Sequence, residues 1–140
     1  MQPYGFHFSH YLNGEKKPIT RKYTFKDTET LTKGDIVNLE TGEVDLGATG
    51  DTALVGVVNE TKAGTDSTTE IEVIVGWDAV YRVYDPNARV EGAILDFAGT
   101  TGAMTVAADA NHDLVVVANS SASEPTLVML HPAHNVLPLS

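Results

Sequence analysis

One arrangement of strands and turns is written twice in this chain, and it limits what the chain can fold into. In each copy a glycine, Gly34 or Gly92, is followed by apolar residues two and five positions later. A polar loop, an apolar run and a further apolar strand then complete the copy. The copies cover residues 31–76 and 89–131, and Gly92 follows Gly34 by 58 positions. Two copies are too few for a solenoid, so a duplicated β-unit that closes into one barrel or sandwich is predicted.

The remaining pattern favours an all-β fold. Within residues 70–75, the apolar Ile71, Val73 and Val75 alternate with Glu70 and Glu72, as on a half-buried strand, whereas residues 53–58 are nearly all apolar. The second pattern predicts a strand that is buried on both faces. No stretch keeps a helical apolar spacing, although short helices near residues 85–92 and 131–137 are compatible with the sequence. We therefore predict a small β-barrel or sandwich over residues 31–140.

The glycine that opens each copy is expected to matter more than the acid beside it. Asp35 follows Gly34, but Ala93 follows Gly92. A turn at this point needs a backbone conformation that glycine adopts most easily. We therefore expect the turn to depend on the conformational freedom of the glycine and less on the carboxylate of Asp35.

Charge and composition exclude several classes of protein. The 140 residues carry a net charge of −10 and include no cysteine. Nucleic-acid binding needs clustered basic residues, so no nucleic-acid partner is expected. Disulfides and cysteine chemistry are excluded. No apolar run is long enough for a membrane helix, and the first residues lack the apolar core of a signal peptide. No membrane partner is therefore expected.

Residues 1–30 differ from the rest and are predicted to form an extended arm for assembly contacts. Residues 1–33 carry a net charge of +3, whereas residues 34–140 carry −13. Aromatic residues recur at nearly alternate positions near the start, which is typical of a strand with one aromatic face. Protein interfaces use aromatic anchors of this kind. The predicted partner-binding residues are Tyr4, Phe6, Phe8, Tyr11, Lys16, Lys17, Arg21 and Lys22.

Two other interpretations of this segment stay open. The aromatic residues are also compatible with capping one end of the core. The basic residues between positions 16 and 22 are compatible with keeping an exposed tail soluble. In either case Asn13 and Gly14 form a turn signal, which would connect a first strand to a second strand over residues 19–25.

The motifs that carry catalysis are absent from the sequence, so no enzyme and no cofactor are predicted. Residues 109–113 are the nearest match to a calcium loop, but they lack the glycine and the final glutamate of an EF-hand. Two His-x-x-His pairs, at residues 7–10 and 131–134, would supply four imidazoles to zinc or nickel if they met. On a strand this spacing puts the two side chains on opposite faces, so ordinary surface histidines are the favoured interpretation.

The repeated body resembles the small β-rich decoration proteins of bacteriophage capsids, also called head-stabilising or cementing proteins. Three stretches carry the resemblance: residues 33–39 (KGDIVNL), residues 53–59 (ALVGVVN) and residues 71–76 (IEVIVG). The second copy matches more loosely, because Ala93 replaces the acid of the first copy. The resemblance covers residues 31–131 and leaves the first thirty residues outside it.

The resemblance implies a structural role without enzymatic activity or cofactor. Proteins of this family form trimers on the outer surface of icosahedral heads, where they bridge neighbouring major capsid subunits. This chain is therefore expected to be a homotrimer that binds a major capsid protein. It is expected to be made in the host cytoplasm and to reside on the outer surface of the virion.

Two alternatives to the capsid interpretation remain. The chain is also compatible with another virion component, such as a tail-tube or baseplate protein. A carbohydrate-binding surface module or small hydrolase would need an exposed aromatic platform, for which Trp77, Tyr81 and Tyr84 are the candidates. Strand spacing puts Tyr81 and Tyr84 on opposite faces, which weakens this interpretation.

Overall fold

The computed structural model of the chain describes residues 4–122 and 124–132, and these residues form thirteen β-strands. No helix occurs within the described ranges, so the short helix allowed near residues 85–92 is not formed. The strands are β1 His7–Tyr11, β2 Ile19–Phe25, β3 Glu29–Leu31, β4 Ile36–Glu40, β5 Glu43–Leu46, β6 Leu54–Val58, β7 Lys62–Gly64, β8 Glu70–Val75, β9 Ala79–Val83, β10 Ile94–Ala98, β11 Thr105–Ala107, β12 Leu114–Val116 and β13 Thr126–Leu130.

Two larger sheets and one small ribbon organise these strands. Five strands close into a barrel in the order β2-β5-β4-β6-β8. Six others form a sheet in the order β1-β9-β13-β12-β10-β11, and β3 pairs with β7 in a two-stranded ribbon. The predicted all-β fold with a small barrel is confirmed.

The apolar strands take the positions that their patterns predict. Every residue of β6 is buried, since this strand lies between β4 and β8 with barrel core on one side and the second sheet on the other. In β8 the apolar Ile71 and Val73 are buried while Glu70 is exposed. Gly56 allows β6 to approach β8 closely, because a Cβ atom at this position would collide with the carbonyl oxygen of Ile74.

Two sets of five strands share one pairing scheme, and we call them the first and the second unit. The first unit orders its strands β5-β4-β6-β8-β2, and the second unit orders its strands β11-β10-β12-β13-β9. The register also agrees, because Ile36 pairs with Val57 in the first unit and Ile94 pairs with Val115 in the second. Both members of the second pair lie 58 positions after their counterparts.

The turn that opens each unit's central hairpin is built in the same way. The N–H of Gly34 donates to the carbonyl of Val58 at 3.0 Å, and the N–H of Gly92 donates to the carbonyl of Val116 at 2.8 Å. The two glycines have φ angles of +101° and +91°, in the left-handed region that other residues resist. The expectation that this position needs a glycine is confirmed.

The two units differ in how they close. In the first unit β2 and β5 pair in parallel at Thr24 and Phe25, which seals the barrel. The corresponding strands of the second unit, β9 and β11, form no ladder in the described residues. The hydroxyl of Thr105 instead donates to the carbonyl of Tyr84 at 2.8 Å. The open sheet of the second unit gains β1, which pairs with β9.

The prediction of a separate arm over residues 1–30 is wrong for residues 4–30, while residues 1–3 lie outside the described ranges. β1 extends the six-stranded sheet, and β2 pairs with β8 over six residue pairs and completes the barrel. The boundary drawn between residues 30 and 31 falls inside β3. The physical reason is that Phe6 and Tyr11 are buried in the core, so they are not available to another protein.

Asp35 joins the first unit to the second, which corrects the expectation that its carboxylate matters less. The side chain is fully buried. It accepts hydrogen bonds from the N–H of Thr32 at 2.9 Å, the hydroxyl of Thr101 at 2.5 Å and the N–H of Gly102 at 2.9 Å. Thr101 and Gly102 lie in the turn between β10 and β11. Ala93 in the second unit has no carboxylate to make such a link.

Asp113 makes the corresponding contact from the second unit to the first. This buried residue precedes β12 in the second unit. Its carboxylate accepts hydrogen bonds from the hydroxyl of Thr49 at 2.6 Å and from the N–H of Gly50 at 3.3 Å. Each unit therefore supplies one buried carboxylate that holds a Thr-Gly turn of the other unit. Because a buried carboxylate without such donors is costly, these contacts fix how the two units pack.

Replacing Asp35 by alanine tests the first of these contacts. The substitution leaves three donors without their acceptor, so we expect Asp35→Ala to lower the free energy of unfolding by about 3 kcal/mol. The matched control is Asp51→Ala, whose carboxylate accepts one bond from the N–H of Ala48 in a local turn. Urea denaturation should show a loss of at most about 1 kcal/mol for the control. Equal losses for the two variants would contradict the interunit role of Asp35.

Candidate protein-docking surface

The aromatic residues predicted to bind a partner belong mainly to the core. Phe6 and Tyr11 are 1% and 2% exposed. Phe8 is half-buried and packs on Tyr11 with ring centres 5.0 Å apart. Tyr4 alone of the four is substantially exposed, at 41%, and its ring meets Tyr84 edge-on at 6.2 Å. The prediction that Phe6 and Tyr11 contact a partner is wrong, and the open alternative of a capped core describes their positions.

Tyr11 ties three strands together. Its hydroxyl donates to the carbonyl of Val75 in β8 at 2.8 Å and accepts from the N–H of Ile19 in β2 at 2.7 Å. Burial raises the pKa of the Tyr11 phenol, so the group stays a neutral donor. The predicted turn at Gly14 is present, with a φ of +93°. The two strands that it connects enter different sheets and do not form a hairpin with each other.

The predicted basic residues are exposed and without ion-pair partners. In the described residues the lysines and arginines that pair with a carboxylate are Lys26, Lys62 and Arg89. The six basic side chains with no carboxylate oxygen within 4.0 Å in this part of the chain are Lys16, Lys17, Arg21, Lys22, Lys33 and Arg82. An acidic protein that leaves these cations unpaired keeps them available for an external anion.

Arg89, in contrast, is a basic residue that forms an ion pair within the fold. Its Nε lies 2.6 Å from a carboxylate oxygen of the buried Asp85. Burial alone would raise the pKa of Asp85, but the hydrogen bonds from Arg89 and from the N–H of Asn87 hold it below its usual range. The exposed cations of residues 16–22 have no such partner among the described residues.

In the first half of β2, residues 19–22, one edge of the strand pairs with no other strand of the described part of the chain. β2 pairs with β8 from Ile19 to Thr24, but its pairing with β5 covers Thr24 and Phe25 alone among the described residues. The N–H of Lys26 donates to Val44 of β5, so the backbone groups of Lys22 and Thr20 point to the same side by strand alternation. On that side β5 begins only at Glu43, opposite Thr24, so it does not extend beside these residues. Residues 19–22 are exposed on both faces of the strand.

We call residues 16–22 with this open strand edge the basic edge. Ile19 is 43% exposed and gives the basic edge an apolar contact point. Lys22 lies opposite Glu72 in the ladder, but the Glu72 carboxylate accepts from the amide of Asn59 at 2.6 Å. Lysine on an open edge discourages uncontrolled pairing between sheets, and it also favours a partner whose charge is negative.

Ile19, Lys33 and Arg82 were not predicted from the sequence as contact residues. Ile19 was assigned to a strand, and Lys33 belonged to the stretch of residues 33–39 that carries the resemblance. Arg82 could have been found, because the alternation of Tyr81 and Val83 as inward residues puts Arg82 on the outer side of β9. Which cations lack carboxylate partners depends on contacts between distant strands, so the sequence does not reveal it.

The histidines and the acidic loop do not form a metal site in the described residues. His131 lies 6.2 Å from His112, ring to ring, whereas His7 bonds the carbonyl of Tyr4; His134 lies outside the described ranges. In the loop considered for calcium, the Nδ1 of His112 lies 2.8 Å from a carboxylate oxygen of Asp109, and the hydrogen bond to this carboxylate raises the pKa of His112. Asp113 serves the interunit contact described above.

The aromatic platform considered for carbohydrate binding is not assembled. Tyr81 is buried. Trp77 precedes β9 and Tyr84 follows it, so the two exposed rings lie at opposite ends of the same strand. A sugar-binding platform needs rings on one face within reach of one ligand, and this arrangement does not provide it.

Comparison with protein families and with curated proteins identified no relative of this chain. No protein-family model matches the sequence, and no match was found among curated proteins. The described part of the chain contains no helix that could cross a membrane.

Two buried tyrosines allow a matched test of this packing. The hydroxyl of Tyr81 has no hydrogen-bond partner in the described residues, whereas that of Tyr11 has two. We expect Tyr81→Phe to raise the free energy of unfolding by about 1 kcal/mol, because an unsatisfied buried hydroxyl is removed. Tyr11→Phe should lower it by about 1–2 kcal/mol. Urea denaturation of both variants measures the difference, and a stability loss in both would contradict the assignment.

Proposed function

We propose that this protein is a capsid decoration protein of a bacteriophage, which binds the outer surface of the head and stabilises it by bridging major capsid subunits. The resemblance of the repeated body to that family suggests the class of partner. The observation that carries the proposal is the basic edge, where unpaired cations flank an open strand. A homotrimer bound to the major capsid protein on the virion surface is part of the same proposal.

The basic edge offers two kinds of contact to a capsid subunit. A strand at the rim of a capsid protein can pair with the outward backbone groups of Thr20 and Lys22. Carboxylates beside that strand would pair with the cations at residues 16, 17, 21 and 22. Such rim contacts are individually weak, but a trimer that engages several capsid subunits gains affinity through multivalency.

The surface is preformed, which distinguishes this proposal from binding by an arm. A disordered arm loses conformational entropy when it orders on the partner, and this loss weakens binding. The first half of β2 is already held by its ladder with β8 and by the Tyr11 hydroxyl. Binding therefore requires little ordering of the backbone at this position.

Charge reversal on the basic edge tests the proposal. Fluorescently labelled protein would be mixed with purified heads that lack it, and bound protein would be measured after sedimentation. We expect Arg21→Glu with Lys22→Glu to weaken binding by at least about tenfold at low salt, because two attractive contacts become repulsive. The matched control reverses Lys26 and Lys62, which are already paired with Glu40 and Glu60. Normal head binding by the first variant would contradict the proposal.

A proline substitution separates strand pairing from charge. The N–H of Thr20 points away from β8, so Thr20→Pro should leave the fold intact while removing a donor from the open edge. The expected result is weaker head binding for Thr20→Pro and unchanged binding for Thr20→Ala. Equal binding by these two variants would show that the open edge does not pair with the partner.

A further inference from the structure

A cleft of about 360 Å³ lies between the two units, and we call it the cationic cleft. β1 and β9 line it with His7 and Arg82, while Lys33 lines it from the first unit. His7 and Arg82 are directly opposite in the ladder between β1 and β9, so their side chains lie on the same face of the sheet. The fold thus brings three basic side chains from distant parts of the sequence to one concave site.

The charges in the cationic cleft are not neutralised. None of its lining residues is an aspartate or glutamate in the described part of the chain. The ammonium of Lys33 and the guanidinium of Arg82 have no ion-pair partner within 4.0 Å among the described residues. Asn59 in the lining donates its side-chain amide to the carboxylate of Glu72 at 2.6 Å. A protein of net charge −10 therefore keeps a local concentration of positive charge here.

Part of the wall of the cationic cleft is apolar. Phe6, Phe8, Val58 and Ile74 line it beside the basic groups. A bare phosphate is poorly suited to such a site, because several of its oxygens would face surfaces that donate no hydrogen bond. A carboxylate on an aliphatic stem fits both parts, since the stem packs on the apolar wall while Arg82 and Lys33 bind the charge.

We propose that the cationic cleft binds a glutamate or aspartate side chain of an extended acidic segment from a partner protein. The volume suits one or two anchoring side chains and lies at the small end of the range for ligand sites. β1 supports this assignment, because in the described residues it pairs with β9 on one side and carries no strand on the other. An extended segment entering the cleft lies beside that free edge.

The cationic cleft adjoins the basic edge at Pro18 but uses different cations, and its assignment does not depend on the capsid proposal. The basic edge uses cations on the β1–β2 connection and on β2. The cationic cleft uses Lys33, which precedes β4, and Arg82, which lies in β9. Variants can therefore remove one site while leaving the other, and the two proposals can fail separately.

Titration of the isotope-labelled full chain with short peptides tests the site by nuclear magnetic resonance. The probe is the capped peptide Val-Glu-Val-Glu-Val, and the charge control is Val-Lys-Val-Lys-Val. We expect the acidic peptide to shift the amide signals of residues 6–8, 33, 58–59 and 82, and the basic peptide to leave them unchanged. Shifts confined to other residues would overturn the proposal.

Substitution of Lys33 and Arg82 tests whether these two cations bind the acidic peptide. Lys33→Gln with Arg82→Gln should weaken binding of the acidic peptide by about tenfold or more, because both charge-assisted contacts are lost. The control pair Lys26→Gln with Lys62→Gln makes the same change of net charge outside the cleft and should bind normally. Equal affinity in the two variants would overturn the proposal. Tighter binding of inorganic phosphate than of the acidic peptide would overturn it as well, because the site would then favour a free anion.

Discussion

The structure depends on two buried carboxylates that join its halves. Asp35 of the first unit holds the turn at Thr101 and Gly102, and Asp113 of the second unit holds the turn at Thr49 and Gly50. A buried carboxylate is stable only when donors surround it, so neither unit can shift without leaving a buried polar group unsatisfied. This constraint fixes the two sheets against the shared apolar layer that contains Phe6, Ile74 and Tyr81.

The cationic surfaces follow from this packing. Lys33 lies two positions before Asp35, and Arg82 belongs to the sheet on the other side of the interface. They line one cleft because the units are held together. Tyr11 has a similar role at the basic edge, where its hydroxyl positions the start of β2 against β8. Both candidate binding surfaces are therefore parts of a folded body and not of a flexible extension.

Local patterns in the sequence predicted the strands well, and long-range contacts explain what they missed. Alternation at residues 70–75 and the spacing after Gly34 and Gly92 depend on neighbouring residues, so they identified the β-structure and its turns. The burial of Phe6 and Tyr11 depends on β8 and β9, which are distant in sequence. Asp35 was undervalued for the same reason, because its partners Thr101 and Gly102 belong to the other unit. Whether a cation such as Arg82 lacks an ion-pair partner likewise depends on which side chains the fold places beside it.

Backbone relaxation of the free protein in solution tests most directly whether the docking surfaces are preformed. Order parameters would be measured for the amides of β1, residues 7–11, and β2, residues 19–25. The account predicts values of about 0.85, as for the strands of the barrel, because both segments are paired and anchored by Tyr11. Values below about 0.6 over these residues would show a flexible arm and would contradict the account.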